Sequence, residues 1–106
     1  MTEAQKTIKK MVQRIVEDFR PEKIILFGSH ARGDAGPDSD ADLLVVMRVR
    51  GSKRKKAIQI DLKLAGMGLP KDVIVVTPEE VERYRNIVGT VIYPAVREGK
   101  VLYERP

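Results

Sequence analysis

Cysteine is absent from the 106-residue sequence. That excludes disulfides, thiolate zinc sites and thiol nucleophiles. His30 is the one histidine, so no histidine cluster is available for a transition metal. Tryptophan is absent and aromatics make up 5% of residues, which leaves little for stacking nucleic-acid bases. No apolar run approaches the roughly 20 residues of a membrane span. The opening MTEAQKTIKK has no apolar core of a signal peptide. These absences lead to the expectation of a soluble, cytoplasmic protein.

The length fits one domain spanning residues 1–106. So small a chain buries only about 60–70% of its unfolded surface. It has little room for both a reaction centre and a deep acceptor pocket, so a partner or a second copy would supply missing surface. The net charge of +5 permits an anionic partner but is also what solubility alone would ask for.

Residues 4–19 carry Ile8, Met11, Val12, Ile15, Val16 and Phe19 on one helical stripe. Ile24–Phe27 and residues 41–47 read as buried strands, and 72–76 as a third. Ser52 is placed to cap a helix over 53–66, with Ala57, Ile58, Ile60, Leu62, Leu64 and Ala65 offering apolar contacts. Thr77-Pro78-Glu79-Glu80 is a strong helix start, extending to about residue 86. A further helix fits 90–98, with Pro94 suggesting a kink or restart and Gly99 a C-cap. Residues 101–103 fit an edge strand. The pattern predicts an α/β (α+β) fold, with a small mixed sheet of three to four strands flanked by helices.

Three features carry chemistry. Gly28-Ser29 follows the first strand and opens a helical segment at 29–34. Glycine there allows a ligand close to the backbone, and a helix start offers free N–H groups to phosphate. Asp40-Ala41-Asp42 enters the second strand, where alternation sends Asp40 and Asp42 to one face. Paired carboxylates are costly without a cation, and Mg²⁺ favours such oxygen ligands together with substrate phosphates. A calcium loop starting at Asp38 fails, because its sixth and twelfth positions are Leu43 and Val49 rather than glycine and glutamate. Asp72 opens the third strand. If that strand lies beside the second, about 4.8 Å away, Asp72 reaches the same cluster.

The segment FGSHARGDAGPDSDADLLVV, residues 27–46, resembles the minimal nucleotidyltransferase family of the DNA polymerase β-like superfamily. The shared pattern is Gly-Ser, a ten-residue interval, then Asp-x-Asp; here residues 30–39 form the interval. The resemblance implies that Gly28 and Ser29 hold a nucleoside triphosphate and that Asp40, Asp42 and Asp72 bind two Mg²⁺ ions. It further implies that Asp72 helps to deprotonate an attacking hydroxyl. Arg32 and Ser39 are candidate nucleotide-binding residues. Arg32 can equally pair with Asp34 or Asp38, and Ser39 can brace the acidic turn. His30 reads as an exposed helix residue. Tyr84, Tyr93 and Tyr103 read as packing or surface residues.

The implied activity is transfer of AMP from ATP to a protein hydroxyl, with a HEPN-domain toxin as partner and this chain as antitoxin. A non-catalytic binding module is the main alternative. Transfer to RNA or a small molecule is another, less suited to a chain with no acceptor domain. The basic run Arg48, Arg50, Lys53, Arg54, Lys55 and Lys56 reads either as an anion contact or as a solvated loop and helix face.

Overall fold

The apolar runs at 24–27, 41–47 and 72–76 can satisfy their backbone groups only by pairing, and they form the centre of the molecule. The computed structural model describes all 106 residues, Met1–Pro106. Helix α1 (Glu3–Phe19) leads into β1 (Lys23–Phe27), the single turn α2 (Ser29–Arg32) and β2 (Ala41–Val46). Then come α3 (Lys53–Lys63), β3 (Lys71–Val76), α4 (Pro78–Tyr84), α5 (Ile92–Glu98) and β4 (Lys100–Glu104). The four strands make one mixed sheet in the order β3-β2-β1-β4. β1 pairs antiparallel with β2 and with β4, while β2 and β3 are parallel and joined through α3.

Strand alternation sorts the core into two layers. Ile24, Leu26, Leu43, Val45 and Val75 pack with Ile8, Met11, Ile15, Ile60 and Leu64, so α1 and α3 cover one face. Ile25, Leu44, Val46 and Val76 pack with Ile92 and Ala95, so α5 lies over the other face. Leu43, Leu44 and Val45 are fully buried. Each contributes about 1.5–3 kcal/mol relative to exposure, which holds β2 firmly behind the acidic residues at its start. No helix is long and apolar enough to cross a membrane.

Several boundaries differ from the sequence expectation. α3 stops at Lys63, and α4 at Tyr84. α5 starts only at Ile92, so Pro94 falls in its first turn. An N–H there has no intrahelical partner to lose, so proline is tolerated at that position. Gly99 caps α5 in an extended conformation rather than a left-handed one. Its requirement for glycine is spatial: an added Cβ would overlap the Ala95 carbonyl oxygen and Ile25 Cγ2. Ile58 and Leu62, expected to be core contacts, are 51% and 67% exposed.

The start of α4 behaves as its sequence requires. Thr77 Oγ1 accepts from the Glu80 N–H at 3.2 Å, and Glu80 Oε1 accepts from the Thr77 N–H at 2.9 Å. Glu80 also pairs with Lys53 at the start of α3. The Lys53 hydrogen bond, followed by that of the Thr77 backbone, lowers the Glu80 carboxyl below its ordinary value of 4.5. A lowered carboxyl stabilises the fold above its unfolded value and loses that contribution as pH falls through the folded one. Glu80→Gln keeps an acceptor for Thr77 but loses the ion pair, worth up to about 1 kcal/mol for so exposed a pair. Melting curves from neutral pH down through the carboxylate range should show a lower Tm at neutral pH and a shallower acid-side fall in this variant.

Candidate functional site

The acidic end of the sheet is built by register. Phe27 of β1 lies opposite Asp42 of β2, and Asp42 lies opposite Asp72 of β3. Residues in register on neighbouring strands point to the same face, so Phe27, Asp42 and Asp72 form one row. Ala41 and Leu43, which flank Asp42, turn into the α1/α3 core. The row therefore faces the α4/α5 side, and the next row inward is Ile25, Leu44 and Ile74. The parallel β2–β3 pairing supplies what the sequence could only presume, that Asp72 lies beside Asp42.

Asp42 is half-buried, whereas Asp40 and Asp72 are exposed. The Asp42 carboxyl is raised above the usual carboxylate range. Partial burial is the first cause, followed by repulsion from Asp72 and then from Asp40; His30 and Arg32 pull in the opposite direction. Asp42 thus senses both of the other carboxylates. As they stand, the three do not converge closely enough to hold a metal ion between them. They form instead an open acidic rim at one strand end, and such like charges favour a cation among them. Hard oxygen donors with open positions suit Mg²⁺, which retains water or phosphate oxygens in its shell.

Gly28 joins the two halves of the motif. Its φ of +75° and ψ of −156° lie in a region essentially reserved for glycine. An added Cβ would sit 3.2 Å from Asp42 Cγ and overlap Oδ2. The strand-to-turn junction is therefore pressed directly against the acidic row. α2 is only one turn, closed by Ala31 and Arg32 N–H groups donating to the Gly28 carbonyl at 3.1 Å each. So short a helix has little macrodipole. Its capacity for anions rests on the N–H groups of Ser29 and His30, which have no intrahelical acceptor.

The loop between the halves is braced at two points. Ser39 Oγ accepts from the Gly36 N–H at 2.9 Å, the bracing role open to it from sequence. His30 Nε2 lies 3.0 Å from the Ser39 carbonyl oxygen. A carbonyl only accepts, so Nε2 carries the proton. His30 is half-buried, not the exposed helix residue its sequence position suggested. It clamps α2 to the residue before Asp40. The missed signal is a lone polar ring within hydrogen-bond reach of a loop nine residues away, which sequence spacing does not disclose.

Arg32 pairs with Asp34 at 3.3 Å and with Glu98 of α5 at 3.8 Å, and not with Asp38. It thus ties the turn to the opposite helix layer while lying near enough to lower Asp42. Tyr84 and Tyr103 pack against the two cores, and Arg97 lies 4.5 Å over the Tyr93 ring. A groove of about 420 Å³ runs between α1 and β4 and includes Ile8, Leu26, His30, Lys100 and Leu102. It contains no acidic residue and opens on the other side of the sheet from the acidic rim.

Residues 7–94 match the nucleotidyltransferase domain family. The chain belongs to that family. It is a minimal nucleotidyltransferase of the DNA polymerase β-like superfamily, as the Gly-Ser and Asp-x-Asp spacing implied. It is 34% identical over 73 residues to MJ0141 of Methanocaldococcus jannaschii, described as a protein adenylyltransferase, spanning 69% of this chain and 71% of that one. A second protein of that organism described the same way, MJ0604, is 48% identical over 44 residues, spanning 40% of this chain and 44% of that one.

Solved structures share the family's fold. A Sulfolobus solfataricus nucleotidyltransferase-type protein superposes with a TM-score of 0.68 at 23% identity, covering 97% of this chain and 84% of that chain. A toxin–antitoxin structure with AMP-PNP gives 0.64 at 20% identity, covering 92% and 73%. A mutant of the toxin–antitoxin MntA-HpeT gives 0.66 at 17% identity, covering 99% and 75%. Family membership and fold together support nucleotidyltransferase catalysis in general.

The clamp role of His30 gives a testable outcome. His30→Ala should lose about 0.5–1.5 kcal/mol, the net value of a typical hydrogen bond. That corresponds to roughly 4–8 °C in Tm per kcal/mol at this chain length. His30→Gln, whose amide N–H can reach the same carbonyl, should restore most of the loss. Melting curves of the two variants check this.

Proposed function

We propose that this chain is a Mg²⁺-dependent nucleotidyltransferase that moves AMP from ATP to a hydroxyl on a protein partner, a HEPN-type toxin, and so acts as its antitoxin. The observation that carries the reading is the register of Asp42 with Asp72, with Gly28 pressed against the Asp42 carboxylate. It brings the phosphate-side turn and the acidic rim within one ligand's reach. The relatives described as protein adenylyltransferases support AMP and a protein acceptor. The fold shared with toxin–antitoxin structures supports the partner.

In this reading Gly28 and Ser29 admit the triphosphate, with the Ser29 hydroxyl and N–H donating to phosphate oxygens. Arg32 adds positive charge at the same turn, and Ser39 holds the loop that delivers Asp40. Asp40, Asp42 and Asp72 would hold two Mg²⁺ ions, which when bound offset charge on the entering and leaving oxygens. The acceptor oxygen attacks the α-phosphorus, the bond to the β-phosphate oxygen breaks, and pyrophosphate leaves. Asp72, exposed at the strand edge, receives the proton of the attacking hydroxyl. Most of the catalysis is then orientation and charge placement by fixed groups.

The test is transfer of radiolabel in the presence of the candidate toxin, RNA and a small polyol. Label from α-³²P-ATP, and none from γ-³²P-ATP, should appear on the protein acceptor. Label on RNA or the polyol alone would overturn the acceptor class. Neutralisation of the toxin with no transfer at all would establish the non-catalytic alternative.

A further inference from the structure

The basic run at 48–56 is divided by the fold. Arg48 pairs with Glu79 and Glu22, and Lys53 with Glu80. Lys56 lies 5.8 Å over the Phe19 ring. Arg54 and Lys55 have no acidic partner, and neither does Lys63 at the other end of α3.

These cations border an apolar ridge. α3 buries Ile60 and Leu64 against the sheet. At 100° per residue, Ile58 and Leu62 fall on the opposite face, one turn apart, with Lys55 one turn before Ile58. Arg54 lies on one flank of that ridge, together with Asp61, whose charge is paired with Lys71, and Lys63 lies towards the other flank. Ile58 is 51% exposed and Leu62 67%. A helix apolar on both faces leaves one stripe without a partner inside the chain.

The geometry points to this face of α3 as a docking surface for an acidic amphipathic helix of a partner protein. Leucine-type side chains of such a helix would cover Ile58 and Leu62, and its flanking carboxylates would meet Arg54, Lys55 and Lys63. A second copy of this chain fits poorly, because two such faces would set like charges against each other. Nucleic acid would leave the ridge uncovered, and no aromatic side chain is there to stack a base. α3 lies on the α1/α3 side of the sheet, whereas Asp42 and Asp72 face the α4/α5 side. A partner held here leaves the acidic rim open. This surface does not depend on the transfer reaction.

The experiment is NMR titration of the ¹⁵N-labelled full chain with a synthetic amphipathic helix of leucine and glutamate. Shift changes confined to residues 54–65, a loss of affinity of at least tenfold in Leu62→Ser and in Lys55→Glu, and unchanged affinity in Asp42→Asn are expected. No binding, shifts centred on other elements, or full affinity in Leu62→Ser would overturn the proposal. So would tighter binding of poly(U) RNA to the same residues. A dimer of the chain that Leu62→Ser dissociates would assign the face to a second copy and overturn it as well.

Discussion

Gly28→Ala is expected to reduce nucleotidyl transfer by at least about 100-fold, the scale of loss when reacting groups are displaced by about 1 Å. Two independent effects act at this position. The backbone angles of Gly28 cost a non-glycine residue about 1–3 kcal/mol. The new methyl group also occupies the space of Asp42 Oδ2, so either the turn or the carboxylate must move. Each movement separates the phosphate-side N–H groups from the acidic rim. The variant should therefore lose both stability and transfer, measurable as a fall in Tm and in initial rate. Gly33→Ala is the internal comparison. Gly33 also has a positive φ, but an added Cβ there meets nothing within 4 Å. It should lose stability through backbone strain and retain most of the activity.

Asp42→Asn should have opposite effects on stability and activity. The Asp42 carboxyl is raised by burial and by repulsion from Asp72 and Asp40. A carboxylate whose folded value is raised destabilises the fold once it is ionised at higher pH. Removing its charge should raise the Tm of the metal-free protein at neutral pH, and the gain should shrink as pH falls and Asp42 itself becomes neutral. Activity should fall by about 100–1,000-fold, the scale for removing one group from a preorganised charge-stabilising site. A residue kept at the expense of stability is what a reaction centre at this strand end would require. Chelator-treated melting curves across pH, paired with transfer assays, read the two effects separately.

The strands were legible because each is a short apolar run closed by glycine, proline or an acid. The start of α4 was legible because capping is local chemistry, complete within Thr77–Glu80. The three carboxylates could be read from residue type and spacing, but their assembly depended on strand order. That β3 lies next to β2 follows from tertiary packing, and only the observed register puts Asp72 opposite Asp42. Contacts between distant residues were not legible. Nothing in the run at 48–56 reveals that Glu22, Glu79 and Glu80 neutralise part of it. The His30 clamp is hidden for the same reason. The α3 pattern misled because apolar residues occupy both of its faces, and composition alone cannot tell which face meets the sheet.

If Gly28-Ser29 and the carboxylates of Asp40, Asp42 and Asp72 form one metal–nucleotide site, nucleotide should bind there only together with the metal. Calorimetric titration with a non-hydrolysable α,β-methylene ATP, with and without Mg²⁺, tests it most directly. Saturable binding that requires Mg²⁺, and that is lost in Asp42→Asn and in Gly28→Ala while His30→Gln retains it, is the expected result. Metal-independent binding of equal strength in wild type and Asp42→Asn would show that nucleotide sits elsewhere and would contradict the account.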